Sequence, residues 1–300
     1  MKNKQDISGY HCIPFPKTLD NNILTYEILN KLYSELNNIT TKKILFDMSN
    51  TRFIAANLFS ILGCILEELH SKRLHTFTFY NIDPKIQNVM QRNNFGHYFS
   101  IPHLQDINNT TIEYRIFKAT TENLEEFEKY TLNNIMNRSN MPKMSPKVKK
   151  RITENILEIF NNVIDHAETS NAYICGQYFV KKHKLVITIT DLGKTIKENV
   201  TKFLKIPVDK AVQWAIISGH STKLSAPGGL GISILLDFLK YNKGFFTLIS
   251  DDECLEITNE GEQFVRLTNP FPGATVSITF NMEDDFSYIM NSEKNEEIIF

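Results

Sequence analysis

The sequence predicts a two-domain α/β protein, and three observations carry that reading. Strand-like and helix-like runs alternate through the first hundred residues. A helix that is half apolar and half acid- and amide-bearing follows at 154 to 168. Beyond it, period-two apolar runs and a glycine-rich turn that opens another helix complete a second α/β unit. A length of 300 residues suits about two domains, and a hydrophobic content of 42% is enough for packed cores.

In chain order, KKILFDMS at 42 to 49 reads as a strand and NLFSILGCILEELHSKRL as an amphipathic helix. HTFTFYNI at 75 to 82 is a second strand, and PKIQNVMQRNNF begins a further helix. A parallel crossover is the natural way to join strand, helix and strand. NRSNMPKMSPK at 137 to 147 carries two prolines and reads as a hinge or loop.

The next helix, ENILEIFNNVIDHAE, can be tested by geometry. At about 100° per residue, Ile152, Ile156, Ile159, Phe160, Val163, Ile164 and Ala167 share one half. Glu154, Glu158, Asn161, Asn162, Asp165 and His166 fall within about 80° of Glu158 on the other half. An acidic, amide-bearing stripe suits a divalent cation that bridges to phosphates, because magnesium takes oxygen ligands and keeps several waters. Taken alone, the segment also reads as an ordinary solvated surface helix.

Leu185, Ile187 and Ile189 alternate with Val186, Thr188 and Thr190 as a strand, and Asp191 follows at its tip. A carboxylate there can accept from an exocyclic amine such as that of adenine, while Gly193 lets the backbone pass close to a flat ring. By itself, Asp-x-Gly is a turn. Gly228, Gly229 and Gly231 then precede the helix ISILLDFLKYN, where amides and the helix dipole favour an anion. Ser221, Thr222 and Lys223 add two hydroxyls and a cation just upstream. The spacing is neither that of a Walker A loop nor that of a Rossmann turn. Between Lys194 and Pro227, PVDKAVQWAIISGHSTK suggests a short helix through Trp214 in a mobile lid. From Asp284 the chain is acidic and then apolar, either a loose tail or a docking peptide.

These residues resemble the GHKL superfamily of gyrase, heat-shock chaperone, histidine kinase and mismatch-repair ATPases. EIFNNVIDH looks like its N box, DLGKTI its first glycine box, PGGLGIS its second, and PFPGATVSITF at 270 to 280 its closing strand. The resemblance implies that Asn162 holds magnesium, that Asp191 reads the adenine amine, and that Thr275 supports Asp191 through water. It also implies that Gly229 and Gly231 line the triphosphate, with Lys223 as a phosphate contact and His166 one turn beyond Asn162 to meet phosphate. Glu158, four residues before the asparagine, would be a general base toward water or a protein hydroxyl, as in the ATPases and anti-sigma serine kinases; histidine kinases commonly lack it. One departure is Thr195, where a second glycine usually stands. The helical hairpin of a histidine kinase and the transducer domain of gyrase-like proteins have no counterpart among these motifs.

The earlier phrase ILFDMSNTRFIAANLFSIL resembles a STAS domain, the anti-sigma-factor antagonist fold. Where such antagonists carry a phosphorylatable Asp-Ser-Ser-Gly, this chain has Ala55, Ala56, Asn57 and Leu58; Ser49 and Ser60 are nearby but off the pattern. Docking, to its own ATP-binding domain or to another chain, is the simplest role left.

The expected architecture is therefore a STAS-like α/β module over 1–110, followed by a GHKL, Bergerat-type two-layer α/β sandwich with a mixed sheet over 115–283 and a tail over 284–300. The expected function is a Mg-dependent ATP-binding regulatory protein, an ATPase or serine/threonine-kinase-like switch, with ATP and Mg2+ as cofactors. The alternative is a non-catalytic partner-binding protein in which ATP is a structural ligand. A protein partner is expected through the STAS-like module, and homodimerisation is left open. A net charge of −1 gives no bulk attraction to nucleic acid or anionic membrane. The basic run KVKKR at 147 to 151 reads as a solvated helix start ahead of a phosphate patch. Cys12, Cys64, Cys175 and Cys254 lack metal or CxxC spacing, which suits reduced thiols. Apolar runs fall short of the roughly 18 residues a membrane span needs, and MKNKQDISGY has no signal-peptide core. Cytoplasmic residence is the expectation.

Overall fold

A computed structural model describes residues 8–217 and 231–293. The first part contains β1 (His11–Pro14), β2 (Thr18–Leu19), α1 (Ile23–Asn38), β3 (Lys43–Asp47), β4 (Phe53–Ile54), α2 (Phe59–Arg73), β5 (Thr76–Tyr80) and α3 (Pro84–Arg92). β1, β3 and β5 form a parallel sheet in the order β1-β3-β5, so α2 is the crossover that the strand-helix-strand pattern requires. Helix α1 starts where the Asn22 side chain accepts from the Thr25 amide at 3.0 Å, and α3 where Asp83 caps and Pro84 supplies a preset φ.

The second part contains β6 (Thr111–Lys118), α4 (Leu124–Thr131), β7 (Lys143–Met144), α5 (Pro146–Asn162), β8 (Asn171–Phe179) and β9 (Lys184–Asp191). It continues through α6 (Ile196–Leu204), α7 (Ala211–Ile216), α8 (Ser233–Asn242), β10 (Phe245–Thr258), β11 (Gly261–Asn281) and β12 (Ser287–Tyr288). Five strands make one sheet in the order β10-β11-β9-β8-β6. The expected mixed sheet is corrected here, because every ladder in it is antiparallel. β9 and β10, joined through helices, do run in the same direction. The hairpin partner β11 inserts between them, so they never pair.

One face of this sheet carries α4, α5 and α8: Phe127, Ile156, Phe160 and Leu235 pack on Ile174, Ile187, Phe246 and Ile278. The opposite face is covered as well, by helices of the first part. Leu29 of α1 and Ile61, Leu62 and Ile65 of α2 share a core with Tyr173, Cys175, Ile249 and Phe271. Helix α2 is thereby held between the small sheet and the large one, and Phe59 through Leu66 are all buried. It was expected to be amphipathic; it is apolar all round for its first two turns because both sides are covered. The contact is also polar. Ser60 Oγ donates to Tyr173 O (3.0 Å) and shares a hydrogen bond with Thr190 Oγ1 (2.9 Å), while Asn57 Nδ2 donates to Thr188 Oγ1 (2.9 Å) and the Ala56 amide to Gln177 Oε1 (2.9 Å). Of the two docking options, the first module meets its own second domain.

The segment after Asp284 is docked at least to its 3-10 turn. β12 pairs in parallel with β7, and Ser145 Oγ donates to Glu293 Oε2 at 2.7 Å. Among the described residues no helix is long and apolar enough to cross a membrane.

Candidate functional site

Helix α5 supplies one wall. Ser145 caps it by accepting from the Val148 amide at 3.2 Å, and Pro146 occupies its first turn. Its apolar half is buried against the sheet, while Glu158, Asn162 and His166 lie half-buried along the other side. The last turn, Val163–Ala167, widens to π geometry before Glu168 ends it with φ of 50°. Asn162 Nδ2 donates to the Glu158 carbonyl at 2.6 Å, and Asn161 Nδ2 reaches Glu158 Oε2 at 3.4 Å.

Asp191 forms the end of a small apolar cavity. Its neighbours there include Asn162, His166, Ile189, Val200, Trp214 and Val276. The carboxyl is 3% exposed. Burial pushes its pKa from 3.8 to about 7, against the one N–H that lowers it, from Gly193 to Oδ1 at 2.9 Å. The cavity holds about 100 Å³. That is below the roughly 300–1,000 Å³ of pockets that enclose whole ligands, so it is scaled to a single ring system. Anything attached to the ring would lie outside it.

Gly193 also makes a close approach within the protein. A Cβ at this position would stand 2.0 Å from the Ala167 carbonyl oxygen, so only glycine lets the strand-end turn pass the end of α5. The Lys194 amide then donates to that same oxygen at 2.6 Å. The turn therefore ties Asp191 to the helix bearing Asn162. Thr195, the departure from the glycine pattern, has a structural reason: it caps α6 in a full capping box. Its amide donates to Glu198 Oε2 (2.6 Å) while the Glu198 amide donates to Thr195 Oγ1 (3.2 Å).

Glu158 is not part of the cavity wall. It stands beside the entrance of α8, where a Cβ on Gly231 (φ +64°) would meet Glu158 Cγ at 2.8 Å. The same end of α8 is tethered to α5 by Asn155, a buried residue whose Oδ1 accepts from the Leu235 amide at 2.7 Å. Sequence reasoning missed Asn155, which at about 60° from Glu158 falls on the polar half of the helix and looks there like its amide and acid neighbours. It also missed Glu253. This fully buried carboxylate accepts from the Val212 amide of α7 (3.0 Å) and pairs with Arg266 (3.1 Å), which also meets Asp252 (2.8 Å) and Asp209. That network holds α7, and so Trp214, against β10.

Thr275 is not brought into the site. Alternation along β11 turns Ala274 and Val276 to the cavity, and Ala274 is the residue paired with Asp191. Thr275 faces the first module, its Oγ1 3.3 Å from Thr190 Oγ1. A hydroxyl beside Asp191 would have to stand at 274, where the side chain is a methyl group. Ser221, Thr222, Lys223 and Gly229 lie outside the described residues.

Among the described residues no three His, Cys, Asp or Glu side chains gather as a metal cage. Asn162, with Glu158 one turn away, is instead a donor set of the kind that holds magnesium through one or two protein oxygens, waters and substrate phosphates. No protein-family model matches the chain, and no curated protein matches it.

Proposed function

We propose that the chain is an Mg-dependent adenine-nucleotide-binding regulatory protein of GHKL type, an ATPase or protein-kinase-like switch. The observation that carries this reading is Asp191: a buried carboxylate, given one N–H by the protein, at the end of an apolar cavity of about 100 Å³. An exocyclic amine supplies the donor such a group lacks. Ile189, Val200 and Val276 supply the apolar walls for the ring. The phosphates would then run along α5 past Asn162 toward the start of α8, whose dipole favours them. Magnesium, when bound with them, would neutralise phosphate charge, with Asn162 as its protein oxygen.

Glu158 stands at that end with its carboxylate linked to Asn161. Its role is to take the proton from an attacking water or partner hydroxyl as that oxygen bonds to the terminal phosphorus and ADP leaves. The first module is the STAS-like partner-facing unit. Its Ala55–Leu58 segment is buried and carries no hydroxyl, so that segment is not a phosphoacceptor for its own domain. The missing hydroxyl also suits a second reading, in which ATP is a structural ligand without turnover and the first module is a surface for a protein partner.

The test is to measure ATP and GTP affinity with and without magnesium, then follow labelled γ-phosphate alone and with candidate partners. ATP binds at least about tenfold tighter than GTP if Asp191 reads the amine. Equal affinities overturn the assignment. Free phosphate, phosphoprotein and unchanged ATP separate ATPase, kinase and structural ligand.

A further inference from the structure

The two strands of the long β10–β11 hairpin do not run in step. Between the pairs Asp251↔Phe271 and Glu253↔Arg266, two steps along β10 face five along β11, so β11 bows out of the ladder over 267–270. Amides in such a bow have no strand opposite them, and α1 of the first module supplies acceptors instead. Glu27 Oε1 accepts from the Thr268 amide at 2.5 Å, and Glu27 Oε2 accepts from the Asn269 amide and from Asn269 Nδ2, both at 3.1 Å. Asn30, a buried residue of the same helix, donates from Nδ2 to the Asn269 carbonyl at 2.9 Å. Leu267 and Phe271, at the two ends of the bow, are buried in the core that the two parts share.

On the other side of the break β10 carries three acids in a row, Asp251, Asp252 and Glu253, and Asp251 takes φ of 56° as the strand turns. These acids hold the two helices that wall the Asp191 cavity. Lys197 of α6 lies 3.1 Å from Asp251 and 2.9 Å from Asp252, and Asn199 and Val200 of that helix line the cavity. Glu253, fully buried, takes the Val212 amide of α7, and Trp214 and Ala215 of that helix line the cavity too. The cation that lets Glu253 stay charged there is Arg266, the last paired residue before the bow and two residues from Thr268. One irregular stretch of hairpin is therefore held by α1 through β11 and holds α6 and α7 through β10.

We propose that this break is a coupling element, through which the first module sets how tightly the Asp191 cavity holds its ring. The proposal rests on the nucleotide reading of that cavity. Glu27 fixes the bow, the bow fixes where Arg266 stands, and Arg266 neutralises the buried Glu253 that docks α7. Both are positioning residues, and neither lines the cavity. The wall has two settings. With Arg266 in place α7 is docked; with Arg266 withdrawn, Glu253 is a buried charge without its cation, a costly state that α7 relieves by moving off and admitting water. A shift of α1 thus reaches the ring without anything entering the cavity.

Two measurements on the full chain test this: titration with ATP and magnesium, and acrylamide quenching of Trp214 fluorescence in the nucleotide-free protein. Glu27→Ala and Arg266→Ala should each weaken ATP binding about fivefold or more and raise the quenching. Glu35→Ala, which removes an exposed acid of the same helix paired with Lys31, should change neither. The double variant Glu27→Ala with Arg266→Ala should bind ATP no more weakly than the weaker of the two single variants, because residues that do not bond to each other are non-additive when they act through one element. Full additivity overturns the coupling, and so does Glu27→Ala with the parent's affinity and quenching. If Glu27→Ala does not fold, Glu27→Gln, which keeps the shape and loses the charge, takes its place under the same two criteria. A parent protein that binds no ATP refutes the nucleotide reading instead; quenching then decides the coupling alone, and a Trp214 as shielded in Glu27→Ala as in the parent overturns it.

Discussion

Asp191→Asn should make the protein more stable at pH 8 while removing adenine recognition. The carboxyl is 3% exposed, and its pKa stands at about 7 against 3.8 for a solvated aspartate. The unfolded chain therefore loses this proton first. Between the two values the folded state binds more protons than the unfolded state, so stability falls as pH rises through that window. Above about 7 both states are ionised, and the folded state carries the full penalty. Three pKa units at about 1.4 kcal/mol each give an upper bound near 4 kcal/mol; water entering through the cavity reduces this to roughly 2 kcal/mol. Asparagine keeps an acceptor for the Gly193 N–H and never ionises. Thermal unfolding of both proteins from pH 4 to pH 8 should show a gap near zero at the acid end, reaching about 4 °C in favour of the variant at pH 8. ATP should raise the parent's Tm and leave the variant's unmoved. A gap that does not change with pH, or a variant less stable at pH 8, refutes the buried-carboxylate reasoning.

Glu158→Ala should retain ATP binding and lose turnover or phosphotransfer by about 10²- to 10⁴-fold, whereas Asn162→Ala should lose Mg-dependent ATP binding; equal hydrolysis rates in parent and Glu158→Ala would remove Glu158 from the base role. Trp214, the chain's one tryptophan, borders the Asp191 cavity, so its fluorescence should change on adding ATP, and spectra identical with and without nucleotide would place the ring elsewhere. Thr195→Ala removes half of a capping box and should cost about 1 kcal/mol by denaturant melting, with Thr195→Ser restoring most of it; a neutral alanine would show that α6 does not depend on its cap. Asn155→Leu leaves the Leu235 amide without its acceptor and should cost about 1–3 kcal/mol by the same measurement, while no loss would mean that α8 is held by packing alone.

What the sequence made legible is what repeats along one element. The period of α5 put Glu158, Asn162 and His166 on one side, and alternation in β9 marked its two faces, because each pattern is set by local backbone geometry. What it hid depends on which element lies opposite. Thr275 was one residue from the wall that faces the cavity, and nothing within its own strand says which parity points there until β9 supplies Ala274↔Asp191 as the pairing. The antiparallel sheet was likewise illegible, since the helical connection from β9 to β10 does fix their common direction but not that β11 enters between them. Gly193 was picked out for close approach, and its close neighbour within the protein is the Ala167 carbonyl, distant in sequence and near only in the fold. The first module is the sharpest case. Its helix α2 reads as amphipathic, yet every residue from Phe59 to Leu66 is buried, which exceeds what one sheet can cover. That excess marks a second covering surface. Ser60 bonded to Thr190, the residue before Asp191, shows where the surface lies. A chain with this contact carries a strand whose tip faces the cavity and whose flank is gripped by the other domain. If ATP alters the ionisation of Asp191, the first place to look for the response is the Ser60–Thr190 bond: Ser60→Ala should change ATP affinity without touching the cavity, and an unchanged affinity would separate the two domains functionally despite their shared core.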